Sequence, residues 1–277
     1  MQVRDILQRA RELTSLSSTP ALDVELLLCH VLNKPRSWLF TWPEYELTAD
    51  QLATVNQLID QRLTGHPVAY LIGTRDFWNL TLNVSPDTLI PRPDTELLVE
   101  QALARLDPSP HKVADLGTGT GAIALALAAE RPNWQVIGTD RIEAAVQLAR
   151  HNADMNGLRH VQFYTGTWCD ALPDKDYDLI VSNPPYIRAD DPHLHQGDAR
   201  FEPSSALTSG IDGLDDIRII AKQALQHLNP RGWLILEHGY DQGNDVRNIL
   251  KQQHYTDIET LRDLAGHERI TRGRRLD

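Results

Sequence analysis

The sequence predicts an α/β protein, a mostly parallel sheet with helices on both faces, preceded by a small all-helical domain. Two patterns and one loop predict it. In residues 1–65 apolar positions recur at three- and four-residue spacing, beginning with Val3, Ile6, Leu7, Ala10 and Leu13, the period of amphipathic helices. Beyond residue 111 short apolar runs alternate with helical ones, the order that folds as a parallel sheet. Between the first of these runs and the helix after it lies Gly117-Thr118-Gly119-Thr120-Gly121, at the position where open α/β sheets bind ligands.

The 277 residues leave room for a large and a small domain, at about 100–200 residues per domain. Thr19 followed by Pro20 marks a helix start, with Leu26, Leu27 and Val31 on one apolar face. Thr48 and Gln51 fit a capping box before Leu52, Val55, Ile59 and Leu63, and Gly65 and Pro67 end that helix. A helical domain over 1–75 is expected. Phe77, Leu80, Leu82 and Val84 read as extended chain or a hairpin, a connector over 76–88. Pro86, Pro91 and Pro93 stiffen the entry to a helix over 94–106, which Pro108 and Pro110 close. The second domain, 89–277, then carries strands at 113–116, 134–139, 161–164, 179–182 and 233–237, with helices after the first, second, fourth and fifth.

Composition narrows the class. Hydrophobic residues make up 41% and charged residues 23%, ordinary globular usage that supports a sizeable core. No apolar run reaches the roughly 18–20 residues of a membrane span, and the first residues lack the apolar stretch of a secretion signal, so a cytoplasmic protein is expected. Cys29 and Cys169 are the only cysteines and are expected to be free thiols. The net charge of −11 argues against a broad grip on phosphate backbones. Up to residue 75 seven Lys/Arg face eight Asp/Glu, and beyond it twenty face thirty, so neither part reads as a nucleic-acid arm. Nothing demands a second copy, and a monomer is expected.

The glycine loop also satisfies the dinucleotide fingerprint, and Asp140 ends the next strand about 20 residues on. A carboxylate there accepts hydrogen bonds from ribose hydroxyls, which nicotinamide dinucleotides and S-adenosylmethionine both carry. Loop and acid therefore select an adenosine-like ligand without choosing between them. Trp168, just after the third strand, reads equally as a cover for adenine and as a packed core ring.

Asn183-Pro184-Pro185-Tyr186 directly follows the strand ending at Ser182. Two consecutive prolines fix the backbone and remove two N–H donors, and Asn183 adds a side-chain carbonyl. An amide or aryl amine nitrogen is a weak nucleophile because its lone pair is delocalised. If Asn183 Oδ1 and the Pro184 carbonyl each accept one N–H of a substrate NH₂ group, the lone pair is aimed at a methyl sulfonium and charge developing on nitrogen is stabilised. Tyr186 would pack against the planar target. No dedicated base is required, since the N-alkylated, protonated amide is strongly acidic. His193 and His195 read as part of a solvated loop. Arg269, Arg272, Arg274 and Arg275 read as a solvated strand end, with contact to RNA or an acidic partner as the other reading.

Taken in order, the stretches 67–77, 89–96, 117–121, 183–186 and 202–207 resemble the bacterial peptide chain release factor glutamine methyltransferases, the HemK/PrmC type, over nearly the whole chain. The resemblance implies a helical N-terminal domain joined by a β-hairpin to a seven-stranded, Rossmann-like class I methyltransferase domain. It implies methyl transfer from S-adenosylmethionine to N5 of the glutamine in the Gly-Gly-Gln motif of class 1 release factors, supporting translation termination, with S-adenosylhomocysteine as the other product. Gly117, Thr118, Gly119, Thr120, Gly121, Asp140, Trp168 and Asn183 match the family's cofactor contacts. Asn183, Pro184, Pro185 and Tyr186 match its glutamine pocket. The expected partners are release factors, without membrane or direct nucleic-acid binding. Three alternatives remain: an amino-methyltransferase acting on adenine or guanine bases, an oxidoreductase using a nicotinamide dinucleotide, and a non-catalytic module binding a release factor or the ribosome.

Overall fold

The structure is a computed structural model that describes residues 1–276. It divides into two compact units, one formed by Met1–Thr74 with Pro192–Phe201, the other by Arg75–Asp191 with the chain from Glu202 onward.

The first unit is helical: α1 (Val3–Leu7), a 3₁₀ turn (Gln8–Leu13), α2 (Pro20–Leu32), α3 (Arg36–Thr41), α4 (Ala49–Leu63) and α5 (Val68–Ile72). Its core gathers Val3, Ile6, Leu13, Leu27, Val55 and Ile59, which the periodicity marked, with Val24, Leu28 and Leu39, which it did not, each fully buried, while Leu26 and Val31 are half-buried. The capping box forms as read: Thr48 Oγ1 accepts from the Gln51 N–H, and Gln51 Oε1 accepts from the Thr48 N–H. Thr19 occupies the N-cap of α2 without capping it, because its hydroxyl turns to the Asp23 carboxylate instead. Asp23 also binds the Arg62 guanidinium at 2.8 Å, with both side chains under one-tenth exposed. The same guanidinium donates to the carbonyls of Gly65 and His66 and reaches Asp198 at 3.4 Å. With Phe201 tilted against the His66 ring, these contacts hold Pro192–Phe201 in the helical unit. His193 and His195 lie within it, on a short 3₁₀ helix.

The second unit opens on a hairpin, β1 (Thr74–Phe77) and β2 (Leu80–Asn83). Phe77, Leu80 and Leu82 are buried, and Asn152 pins the backbone of Asn83 through both its N–H and its carbonyl. A 3₁₀ turn (Pro93–Thr95) leads into α6 (Glu96–Leu103), and strand–helix alternation follows: β3 (Lys112–Leu116), α7 (Ala122–Glu130), β4 (Gln135–Asp140), α8 (Glu143–Met155), β5 (Gln162–Thr165) and β6 (Tyr177–Ser182). After β6 come α9 (Ser204–Leu207), α10 (Asp215–Ala224), β7 (Leu228–Glu237), α11 (Gly243–Gln252), β8 (Thr256–Arg262) and β9 (Glu268–Arg274). These strands make one seven-stranded sheet in the order β5-β4-β3-β6-β7-β9-β8, parallel except for β9, which runs antiparallel to both neighbours. Strand residues alternate between the two faces. Val113, Val136, Leu179, Val181 and Ile235 pack with the helices α6, α7 and α8, while Ala114, Ile137, Ile180, Leu234 and Leu236 pack with α10 and α11. The result is the mostly parallel sheet with helices on both faces that the sequence predicts.

The arginines of β9 require a correction. Read as a solvated strand end, they are instead packed and partnered. Arg272 is 8% exposed, pairs with Glu259 and donates to Gln101, and Arg274 pairs with Asp257. Arg272 and Arg274 both lie over the Trp233 ring, 5.8 and 5.5 Å from its centre, and Arg269 pairs with Asp263 and Asp94. The guanidinium groups of Arg272 and Arg274 lie over this aromatic face and also meet carboxylates. Cys29 and Cys169 are free thiols. Among the described residues no helix is long and apolar enough to cross a membrane.

Candidate active site

The chain leaves β3 for β4 and β5 on one side and returns to β6 on the other, so the order reverses between β3 and β6. At such a switch the loops after adjacent strands diverge and leave a crevice at their carboxyl ends. The register aligns those ends, with Leu116 opposite both Thr139 and Ser182. Ser182 Oγ donates to the Leu116 carbonyl at 2.7 Å and ties β6 to β3 just before the glycine loop and Asn183 begin.

The crevice is a cleft of roughly 910 Å³, open to solvent. Gly117, Thr118, Gly119 and Thr120 line it, with Asp140, Trp168, Asn183 and Pro185. Pro184 is buried behind this wall, and Gly121 and Tyr186 also stand outside it. Eight of the eleven residues singled out from the sequence thus share one space. Gly121 serves packing instead: at φ +85° it begins α7, and a Cβ there would press on Leu125 and Ala149 at 3.1 and 3.2 Å.

The loop's N–H groups are used internally. Those of Gly117 and Thr118 both donate to the Thr139 carbonyl, at 2.8 and 2.9 Å, and that of Gly121 donates to Thr118. That of Gly119 donates to Asp140 Oδ2 at 2.9 Å, while Asp140 Oδ1 accepts from Ile142. Beneath the loop the fully buried Asp115 accepts from the Thr118 hydroxyl at 2.6 Å and from the Ala124 N–H in the first turn of α7. A dinucleotide loop presents free N–H groups and a helix N-terminus to a pyrophosphate. Here four of those N–H groups are spent, and the protein's own carboxylate stands at the helix N-terminus. The loop instead offers bare Cα surface: Gly119 has φ +55°, and a Cβ on it would meet nothing closer than Thr88 at 4.0 Å. This counts against the oxidoreductase reading, which loop and acid alone had left open.

Trp168 lies across the loop. Its ring would stand 3.0 Å from a Cβ on Gly117, and its carbonyl accepts from the Thr139 hydroxyl. Its φ of +47° places a large side chain in left-handed backbone, a conformation that costs energy and is found where a ring must point a particular way. The ring both packs and lines the cleft, so the two sequence readings of Trp168 combine. Desolvation sets the local titration: burial pushes Asp115 up to about 7, partly offset by the Thr118 hydroxyl and the Ala124 N–H, and raises Asp140, partly offset by the N–H groups of Ile142 and Gly119.

Asn183 donates from Nδ2 to Thr95 Oγ1 at 3.1 Å. Tyr186 directs its hydroxyl to Glu237 Oε1, a long contact of 3.5 Å, and its carbonyl accepts from Gln242 Nε2 at 2.9 Å. The cleft is also lined by a strap from Asp87 to Arg92, fixed by the buried Glu202, which accepts from the Ile90 N–H and from the Arg92 guanidinium.

Comparison with known proteins agrees with this geometry. Residues 5–73 match the family described as PrmC N-terminal domain, and residues 93–205 match the methyltransferase small domain. A release factor glutamine methyltransferase of Aliivibrio fischeri is 47% identical over 99% of this chain and 97% of its own. The chain belongs to the release factor glutamine methyltransferase family. Relatives of the same name from Xylella fastidiosa and Pseudomonas aeruginosa are 55% and 54% identical, over 91% and 93% of this chain and 92% and 93% of theirs. A solved methyltransferase from Pyrococcus furiosus, 18% identical, superposes with a TM-score of 0.55 over 72% of this chain and 91% of its own. A 16S rRNA N2 G1207 methyltransferase of T. thermophilus, solved with AdoMet and guanosine, is 21% identical, with a TM-score of 0.53 over 73% and 49%. These two show the shared fold.

At this cleft, reading the sequence missed the strap, Thr95, Asp115, Glu202 and Glu237. The stretches 89–96 and 202–207 carried the resemblance without a stated job. Their pairing through Glu202 to Ile90 and Arg92 joins residues about 110 positions apart, and no local pattern announces it.

Proposed function

We propose that the protein transfers the methyl group of S-adenosylmethionine to the side-chain amide nitrogen, N5, of the glutamine in the Gly-Gly-Gln motif of class 1 peptide chain release factors. It would act in the cytoplasm, as a monomer, in support of translation termination. The observation that carries the reading is that Asn183 and Pro185 line the same cleft as the glycine loop, Asp140 and Trp168. A donor site and two residues of the amide-orienting tetrapeptide then share one space.

The residues fit an adenosylmethionine-type group. Gly117, Thr118, Gly119 and Thr120 supply a cradle without phosphate-directed N–H groups, Asp140 keeps lone pairs for a ribose, and Trp168 supplies an aromatic wall. Gly121 belongs to this set as the residue that starts α7 beside the cradle. When bound, the group supplies an electrophilic methyl on sulfonium. The chain's own work is positional. Asn183 Oδ1 and the Pro184 carbonyl accept the two amide N–H bonds, which turns the nitrogen lone pair toward the methyl and stabilises positive charge growing on nitrogen. Pro185 stiffens the turn, and Tyr186 bounds the planar amide. The proton leaves to water after transfer.

The test is transfer of radiolabelled methyl to purified release factor, with a Gln→Ala change in its Gly-Gly-Gln motif and with ribosomal RNA and DNA as parallel acceptors. Label on the intact factor alone, lost with that glutamine, is expected. Label on nucleic acid would move the chemistry to a base amino group and overturn the glutamine reading.

A further inference from the structure

The tetrapeptide is held from behind by two residues that no motif marks. Ser182 pairs with Leu236 in the β6–β7 register, so Asn183, just past the end of β6, comes beside Glu237, the last residue of β7. Glu237 is 2% exposed, accepts from the Tyr186 hydroxyl at Oε1 and has no partner for Oε2 among the described residues. Thr95, in the turn before α6, is 5% exposed, accepts from Asn183 Nδ2 at 3.1 Å, and its hydroxyl works against burial to hold the Glu237 carboxyl down. Both polar side chains of the tetrapeptide therefore end on one buried carboxylate, Tyr186 directly and Asn183 through Thr95.

The direction of these bonds matters because an asparagine amide has a donor end and an acceptor end of nearly the same shape. A hydroxyl has a single proton. A carboxylate only accepts, so it takes the Thr95 proton and leaves Thr95 Oγ1 as an acceptor. That acceptor takes the NH₂ end of Asn183, and the carbonyl end is turned the other way. Resting on the proposed reaction, we propose that Thr95 and Glu237 are positioning residues that fix which end of the Asn183 amide meets the substrate nitrogen, presenting Oδ1 and withholding Nδ2. Without this polarity Nδ2 would compete for the same place and repel the N–H bonds that Oδ1 is to accept.

The experiment compares Thr95→Val, which removes the hydroxyl at nearly constant shape, with Thr95→Ser, which restores it, each alone and with Asn183→Ala. Turnover, S-adenosylhomocysteine affinity by calorimetry and melting temperature are recorded on the full chain. Thr95→Val is expected to lower kcat about tenfold, with S-adenosylhomocysteine affinity within about twofold, the size of one lost hydrogen bond. Thr95→Ser should recover most of that loss. In the Asn183→Ala background Thr95→Val should cost less than about twofold, because the group it orients is gone. Glu237→Gln, which introduces an NH₂ donor where only acceptors stood, should lower kcat comparably and serves if Thr95→Val fails to fold. Full turnover in Thr95→Val or Glu237→Gln, an equal loss in Thr95→Ser, or additive losses with Asn183→Ala would each overturn the proposal. If Asn183→Ala itself turned over normally, the proposed function would fall, whereas a slow Asn183→Ala beside a fast Thr95→Val would sink only this inference.

Discussion

Asn183 and Asp140 divide the proposed work between transfer and binding, and substitution should separate them. Asn183→Ala is expected to lower kcat by about 10²–10³ while S-adenosylhomocysteine affinity stays within a few fold, since only a charge-stabilising contact is lost. Asp140→Ala is expected to weaken that affinity by roughly 1.5–3 kcal/mol through lost charged hydrogen bonds. Calorimetry showing unchanged affinity would place the ribose elsewhere. Burial raises Glu237 to about 7, against the Thr95 and Tyr186 hydroxyls and nearby Arg269, with Asp94 adding to the rise. The ionised form orients Thr95, so kcat should climb as pH passes about 7, and Glu237→Gln should flatten that limb. Asp115 acts on stability. Its folded value of about 7 lies above its ordinary 3.8, so its contribution is complete below 3.8 and declines as pH rises through 7. Asp115→Asn should therefore raise the melting temperature more at pH 8 than at pH 5, and an equal gain at both would contradict this. Asp140 and the tetrapeptide were legible because their chemistry is written in residue type beside strand ends. Thr95 and Glu237 were not, since their role arises from a turn and a strand end 142 positions apart meeting at Asn183.

Elements with a single period were read correctly, and those with mixed signals were not. Strands β3, β4 and β6 are buried on both faces and announce themselves as apolar runs. In β9 Ile270 is the one large aliphatic residue among arginines, and in β8 charged residues alternate with half-buried ones. The arginines of β9 read as a solvated strand end until the guanidinium groups of Arg272 and Arg274 are seen over Trp233, and β8 went unread. Strand β7 starts five residues earlier than the apolar run, at Leu228, because Pro230 and Gly232 resemble a turn and Arg231 sits at φ +66° within an irregular stretch. Between α2 and α4 the Asp23–Arg62 pair is nearly dry. Asp23→Ala would leave a buried guanidinium short of its counter-charge and should cost about 3–5 kcal/mol in urea unfolding, and Asp23→Ala with Arg62→Met should recover much of it. An unchanged midpoint in the single variant would mean that the Gly65 and His66 carbonyls suffice.

On the scale of the molecule, the helical body is not one continuous stretch. It is assembled from Met1–Thr74 and the distant Pro192–Phe201, so the chain passes between the two units three times, at 74/75, 191/192 and 201/202. The periodicity of the first 65 residues made this body visible but could not show that it was incomplete, because a ten-residue segment rich in charge and histidine has no apolar signature. The segment follows the tetrapeptide and ends where Glu202 grips the strap. A site-specific protease cutting between Thr74 and Arg75 should therefore leave a nicked protein whose pieces elute together, the smaller holding its missing segment through Arg62 and His66. Separate elution would refute it. For anyone recombining such enzymes, the front portion is no detachable cassette: spliced onto a foreign catalytic half at a single joint, it would arrive with one of its walls left behind.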